Sequence, residues 1–150
     1  MDKKETYKTL LAQVRAIIKD ENDPVANMAN VAALIQEAFR FWWTGFYRVI
    51  GEQLVLGPFQ GPVACTRIGF GKGVCGTAWK ERRTIVVKDV EQFPGHIACS
   101  SESHSEIVVP LYKGEEVIGV LDIDSEHLAT FDATDQLWLE QIAEVIAAKL

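Results

Sequence analysis

Residues 107–124 read IVVPLYKGEEVIGVLDID, and their pattern decides the fold class. Ile107 to Tyr112 and Glu116 to Asp124 are rich in aliphatic and β-branched residues, and Lys113-Gly114 lies between them as a tight turn. Two such runs around a glycine turn form a β-hairpin. Working back towards the N-terminus, Asp89 to His104 is polar and small-residue rich, a long loop. Thr84 to Val87 is a strand, Gly73 to Glu81 a short helix and Val63 to Ile68 another strand. Trp43 to Val49 and Glu52 to Leu56 make a second hairpin through Gly51, followed by a loop punctuated by Gly57, Pro58, Gly61 and Pro62. Both ends are helical. Tyr7, Leu10, Leu11, Val14, Ile17 and Ile18 recur at helical spacing, as do Val25, Met28, Val31, Ile35 and Phe39 after an Asp23 cap and Pro24. Asp132 caps a last helix with Trp138, Leu139, Ile142, Val145 and Ile146 on one face. Consecutive hairpin-joined strands with helices at the ends predict an α+β fold around a mainly antiparallel sheet.

The chain has 150 residues, which suits one domain. Its helices occupy 1–40, the sheet and loops 41–125 and the last helix 131–150. Lys and Arg number 15 against 21 Asp and Glu, a formal net charge of −6. That balance argues against a nucleic-acid binder, which presents a basic face. The charged N-terminal segment lacks the apolar stretch of a secretory signal, and no apolar run approaches the roughly 18 residues of a spanning helix. The expected location is the cytoplasm, where thiols stay reduced. Three cysteines, Cys65, Cys75 and Cys99, are an odd count and contain no C-x-x-C.

Several constellations carry chemistry. Gly71-Lys72-Gly73-Val74-Cys75-Gly76 matches G-x-G-x-x-G, but the helix after it is too short for the βαβ crossover of a dinucleotide site. A tight glycine turn into a helix N-terminus is the better reading. Cys99 lies in a loop among small residues, flanked by His96 and His104. A nucleophilic thiol, a Cys/His hydrolase pair and a Cys/His zinc ligand set are all open at this point. Asp122 and Asp124 alternate with Ile123, so both carboxylates share one face of their strand. The hairpin brings Glu106 to the same rim. Three clustered acids repel, so at least one pKa rises, which makes either an ammonium site or a proton donor. Trp43 and Tyr47 are four apart on a strand and share a face, either as core or as an aromatic wall for a ligand.

Together these segments resemble a known family. Trp43-Thr44-Gly45-Phe46-Tyr47, Leu56-Gly57-Pro58-Phe59-Gln60-Gly61, Gly73-Val74-Cys75-Gly76, Gly95-His96-Ile97-Ala98-Cys99, the strand 105–111 and the strand 119–125 are similar to the free methionine-(R)-sulfoxide reductases, which are single GAF-domain enzymes. The resemblance runs from about residue 40 to Leu150 and includes all three cysteines. It implies a GAF domain with a six-stranded sheet and the terminal helices packed on one face. It also implies thiol-dependent reduction of free L-methionine-(R)-sulfoxide, with Cys99 as nucleophile and Cys65 as the thiol that closes a disulfide. Cys75 would be an additional or alternative resolving thiol, and thioredoxin the external reductant. Trp43, Tyr47, Glu106, Asp122 and Asp124 would line the pocket. No metal or organic cofactor is implied, and a homodimer is expected. Trp42, Pro94 and Ser100 stand where the family pattern has other residues. The competing expectation is a GAF module that senses a small molecule without chemistry.

Overall fold

The computed structural model describes residues 2–96 and 101–150. Cys99 and its neighbours 97, 98 and 100 lie outside the described residues, as does residue 1. Helix α1 spans Lys3–Ile18 and α2 Pro24–Phe39. Each starts at an aspartate whose side chain accepts a backbone N–H of the first turn: Asp2 from Glu5, and Asp23 from Ala26. Such caps satisfy donors that a helix start leaves free and contribute about 1 kcal/mol each. Strands β1 (Trp43–Ile50) and β2 (Gln53–Gln60) form the first hairpin, and β3 (Arg67–Gly69) follows. Helix α3 (Gly73–Glu81) leads to β4 (Ile85–Val87), and a single 3₁₀ turn at Val90–Gln92 interrupts the next loop. Strands β5 (Ser105–Lys113) and β6 (Glu116–Ser125) form the central hairpin, and α4 (Ala133–Ala147) closes the fold. The Asp132 cap of α4 is reciprocal, because Asp135 in turn accepts the Asp132 N–H.

All strand pairs are antiparallel, in the order β3-β2-β1-β6-β5-β4. Alternation then sorts the side chains. Phe46, Ile107, Val109, Leu111, Leu121 and Ile123 point to one face and pack with Tyr7, Leu10, Ile35, Leu139 and Ile146 of α1, α2 and α4. Trp43, Tyr47, Val108 and Val120 point to the other face and pack with Val74, Cys75 and Ala78 of α3. The terminal helices thus share one face of a six-stranded antiparallel sheet, as expected.

Five details depart from the sequence reading, the first being that Lys113 ends β5, so the central hairpin turns at Gly114-Glu115 and not at Lys113-Gly114. Gly57 and Pro58 belong to β2 and not to a loop. The β1–β2 register slips between Gly45 and Tyr47, and such a bulge accommodates a proline that cannot donate to the ladder. The strand expected from Val63 is shorter and starts at Arg67. Before it, the carbonyls of Pro62 and Cys65 accept from the side chains of Trp43 and Tyr47. Ile17 and Val25 are exposed, at 42% and 54%. Both sit in a terminal turn at the flank of the buried stripe. The loop from Asp89 contains the 3₁₀ turn, begun by the Asp89 carboxylate accepting from Glu91 N–H.

Candidate active site

The register assembles the site in rows. Trp43 of β1 pairs with Asp124 of β6, which pairs with Glu106 of β5. One step along, Gly45 pairs with Asp122, which pairs with Val108. Paired residues share a face, and neighbouring strands lie roughly 4.8 Å apart, so the three carboxylates converge. Gly45 makes room for the aromatic wall. A Cβ there would come within 2.6 Å of the Trp43 ring and 2.4 Å of Phe59 Cβ. The indole therefore lies over Gly45. It stacks on Phe59 at 5.2 Å and on Tyr47 at 6.0 Å, and its Nε1 donates to the Pro62 carbonyl at 3.0 Å. The Tyr47 hydroxyl donates to the Cys65 carbonyl at 2.8 Å, which ties the wall to the loop carrying that cysteine.

Helix α3 closes the opposite side. Gly71 and Gly73 have φ of +74° and +60°. A Cβ on Gly76 would meet the Gly69 carbonyl oxygen at 2.4 Å. The G-x-G-x-x-G pattern is thus a turn and a close helix-to-strand contact. It brings Lys72, Gly73, Val74 and Cys75 to the pocket. The space between the walls not filled by protein atoms is about 580 Å³, mouth included. Trp42, Val63, His96 and Ser103 stand around it as well.

Glu106, Asp122 and Asp124 form the floor. Burial pushes the carboxyls of Glu106 and Asp124 well above the usual carboxylate range, and the neighbouring Asp122 charge adds to this. Asp122 is raised by burial too, but hydrogen bonds from Glu106 and Cys75 oppose the rise. The trio behaves as one coupled unit in which Asp122 ionises first and the outer two hold protons. Asp122 is only 6% exposed, yet its Oδ1 has no hydrogen-bond partner. A buried acceptor without a donor, on a residue that lines a pocket, is a ready contact for a ligand cation or donor. Cys75 is buried beside it, and desolvation followed by the acid charges keeps its thiol protonated. Tyr47 is raised for the same two reasons. Burial lowers His96, which favours the neutral imidazole.

All five expected pocket residues therefore meet in one place with Cys75. Cys65 is disulfide-bonded, whereas Cys75 is a free thiol. The expectation for Cys99 falls outside the described residues. His104 does not line the pocket; its backbone extends the sheet by donating to Ser125 O at 2.8 Å. Sequence reasoning missed Lys72 and Val63 as pocket residues. Lys72 had a signal, its place inside the glycine turn, whereas Val63 had none.

The pattern of the GAF domain matches residues 25–150. A protein of Escherichia coli named free methionine-R-sulfoxide reductase is 44% identical over 143 residues, covering 95% of this chain and 87% of its own length. This chain belongs to the GAF-domain family of free methionine-R-sulfoxide reductases. The Saccharomyces cerevisiae relative of that name is 41% identical, covering 97% of this chain and 86% of its own. A Neisseria meningitidis free methionine-R-sulfoxide reductase, solved in complex with its substrate, is 54% identical with a TM-score of 0.98; the match covers 99% of this chain and 90% of that one. Among the described residues no helix is long and apolar enough to cross a membrane.

Proposed function

We propose that this protein reduces free L-methionine-(R)-sulfoxide to L-methionine. The observation that carries this reading is the buried acid trio, with its unpartnered Asp122 Oδ1, lining one pocket with the Trp43 indole. A sulfoxide is a poor electrophile until its oxygen is protonated or hydrogen-bonded, and carboxyls held protonated by burial supply that proton. The Asp122 carboxylate suits the α-ammonium of a free amino acid, and the indole face suits the S-methyl group. The Lys72 backbone opens α3 without a side-chain cap, which leaves N–H groups at the pocket for the substrate carboxylate.

In the proposed sequence the Cys99 thiolate attacks the sulfoxide sulfur while the acid floor protonates the oxygen. Methionine leaves and Cys99 becomes a sulfenic acid. The Cys65 thiol then attacks that sulfur, expelling water and closing a disulfide. Thioredoxin reduces the disulfide and returns both thiols. The state of the cysteines supports Cys65 as the resolving thiol, since Cys65 stands in a disulfide and Cys75 does not. Cys75 is the alternative resolver. The enzyme works in the cytoplasm as a homodimer with no metal or organic cofactor of its own.

The test is NADPH oxidation coupled through thioredoxin and its reductase, with the free (R) epimer, the free (S) epimer and a peptide-bound sulfoxide as substrates. Turnover of free (R) alone, lost in Cys99→Ser, is the expected result. Cys65→Ser should release one methionine per chain and then stall, while Cys75→Ser separates the two resolving thiols. No turnover of any sulfoxide by the fully reduced protein would leave the ligand-sensing reading in its place.

A further inference from the structure

The pocket floor also brings together a mixed sulfur and oxygen ligand set. A sulfur and a carboxylate oxygen from each of two acids, those of Cys75, Glu106 and Asp122, all lie within 4.8 Å of one another and are buried. Tetrahedral zinc with bonds of roughly 2.0–2.3 Å holds its ligand atoms roughly 3.3–3.7 Å apart. Closing this triangle thus needs side-chain movements of about 1 Å. The second observation is the Asp122 Oδ1, which is buried without a hydrogen-bond partner on a residue that lines the pocket. A buried carboxylate oxygen without a donor is a position that a cation fills.

We infer that Cys75, Glu106 and Asp122 form a binding site for a thiophilic divalent cation, Zn²⁺ in the cell, at the floor of the substrate pocket. Three protein ligands leave one position open to water, the pattern of a zinc site exposed to a cavity. The thiolate selects zinc and similar ions over Mg²⁺ and Ca²⁺, which take all-oxygen sets. On binding, the metal displaces the thiol proton of Cys75 and the proton held by Glu106, while Asp122 binds as the carboxylate it already is, and no oxidation occurs. The ion engages Glu106 and Asp122, both of which line the pocket, so it occludes the pocket. This inference concerns the chain's own residues and does not rest on the reductase reading.

The oxidised protein isolates the site, because Cys65 is then disulfide-bonded and Cys75 is the free thiol among the described residues. The probe is Co²⁺, titrated into this form and followed by absorption. One equivalent should give a near-ultraviolet thiolate-to-cobalt charge-transfer band, bleached when Zn²⁺ displaces the cobalt. Cys75→Ser should abolish the band, and Asp122→Asn, which keeps the thiol, should weaken Co²⁺ binding at least about tenfold. Circular dichroism and thermal melts check that both variants are folded. Absence of a thiolate band in the wild-type protein would overturn the proposal, as would a band of undiminished affinity in Asp122→Asn.

Discussion

Gly76→Ala sets two physical effects against each other. Gly76 lies inside α3, where alanine is the better helix former by about 1 kcal/mol. Propensity alone therefore predicts stabilisation. The structure predicts the reverse. The new Cβ would stand 2.4 Å from the Gly69 carbonyl oxygen and 3.2 Å from both the N and the C of Gly71. Carbon-to-oxygen contacts do not close much below roughly 3.3 Å, so α3 must retreat by about 0.9 Å. All three neighbours are backbone and cannot swing away. The overpacking cost therefore belongs near the upper end of its usual range, about 3 kcal/mol. Subtracting the propensity gain leaves a net loss of about 2 kcal/mol. For a chain of this length that lowers Tm by about 4–8 °C. Thermal melts and urea titrations measure it, and the urea slope should stay unchanged while the midpoint falls. Because α3 carries Gly73, Val74 and Cys75 at the pocket, the same retreat misplaces one wall by nearly 1 Å, enough to cost about a hundredfold in kcat/KM. An unchanged or raised Tm would refute the close-contact account of the glycine motif.

Further predictions concern the acids and the two cores. Glu106, Asp122 and Asp124 have folded pKa values raised by burial above an unfolded value near 4. The folded state then binds more protons than the unfolded one from about pH 4 upwards. These groups make stability fall as pH rises through their folded pKa values. Asp124→Asn removes one of them, so its urea stability should decline less between pH 5 and pH 8 than the wild type's; parallel curves would contradict this. Tyr7→Phe removes the buried 2.6 Å hydrogen bond to Asp135. Asp135 keeps Lys3 Nζ at 2.7 Å and the Asp132 N–H at 2.8 Å, so the loss should be about 1.5–2 kcal/mol in denaturant titration, and a change under about 0.5 kcal/mol would count against the contact. Trp43→Ala deletes the indole wall and should raise KM for free methionine-(R)-sulfoxide about tenfold or more in the coupled assay; an unchanged KM would remove the indole from the binding site.

The central hairpin was legible because period-2 alternation fixes faces without knowledge of the rest of the fold. Ile123 against Asp122 and Asp124 already states which side is core and which is site. The register that places Glu106 beside Asp124 was not legible from the turn, because the turn is Gly114-Glu115 and a one-residue shift between Leu111 and Tyr112 lies between it and the site. The shape around Pro58 and the length of β3 were not legible, since both depend on side chains reaching across the fold. Tyr47 satisfies the Cys65 carbonyl and Trp43 that of Pro62, and no local pattern announces such bonds. Cysteine pairing was equally hidden, because spacings of 10 and 24 residues do not say which sulfurs meet. Whether Trp43 was core or site was open in the sequence because it is both, buried at 4% yet lining the pocket.

The two faces of the sheet divide the work in a way that explains how three buried carboxyls are tolerated. A polar cluster in a single shared core would oppose every apolar contact around it, and each ionised acid would cost several kcal/mol. Here β1, β5 and β6 carry a continuous apolar face of Phe46, Ile107, Val109, Leu111, Leu121 and Ile123 against three helices. The acids stand on the opposite side of the same strands, next to a cavity and a short helix. Destabilisation of that side therefore stays local, offset by burial on the other. It follows that a truncation such as Leu121→Ala should lower Tm by several degrees while leaving the pH dependence of stability parallel to the wild type's. Asp124→Asn should do the opposite, changing the pH dependence with little effect on the helical core. If Leu121→Ala altered the pH profile instead, the two faces would be energetically coupled and this division would fail.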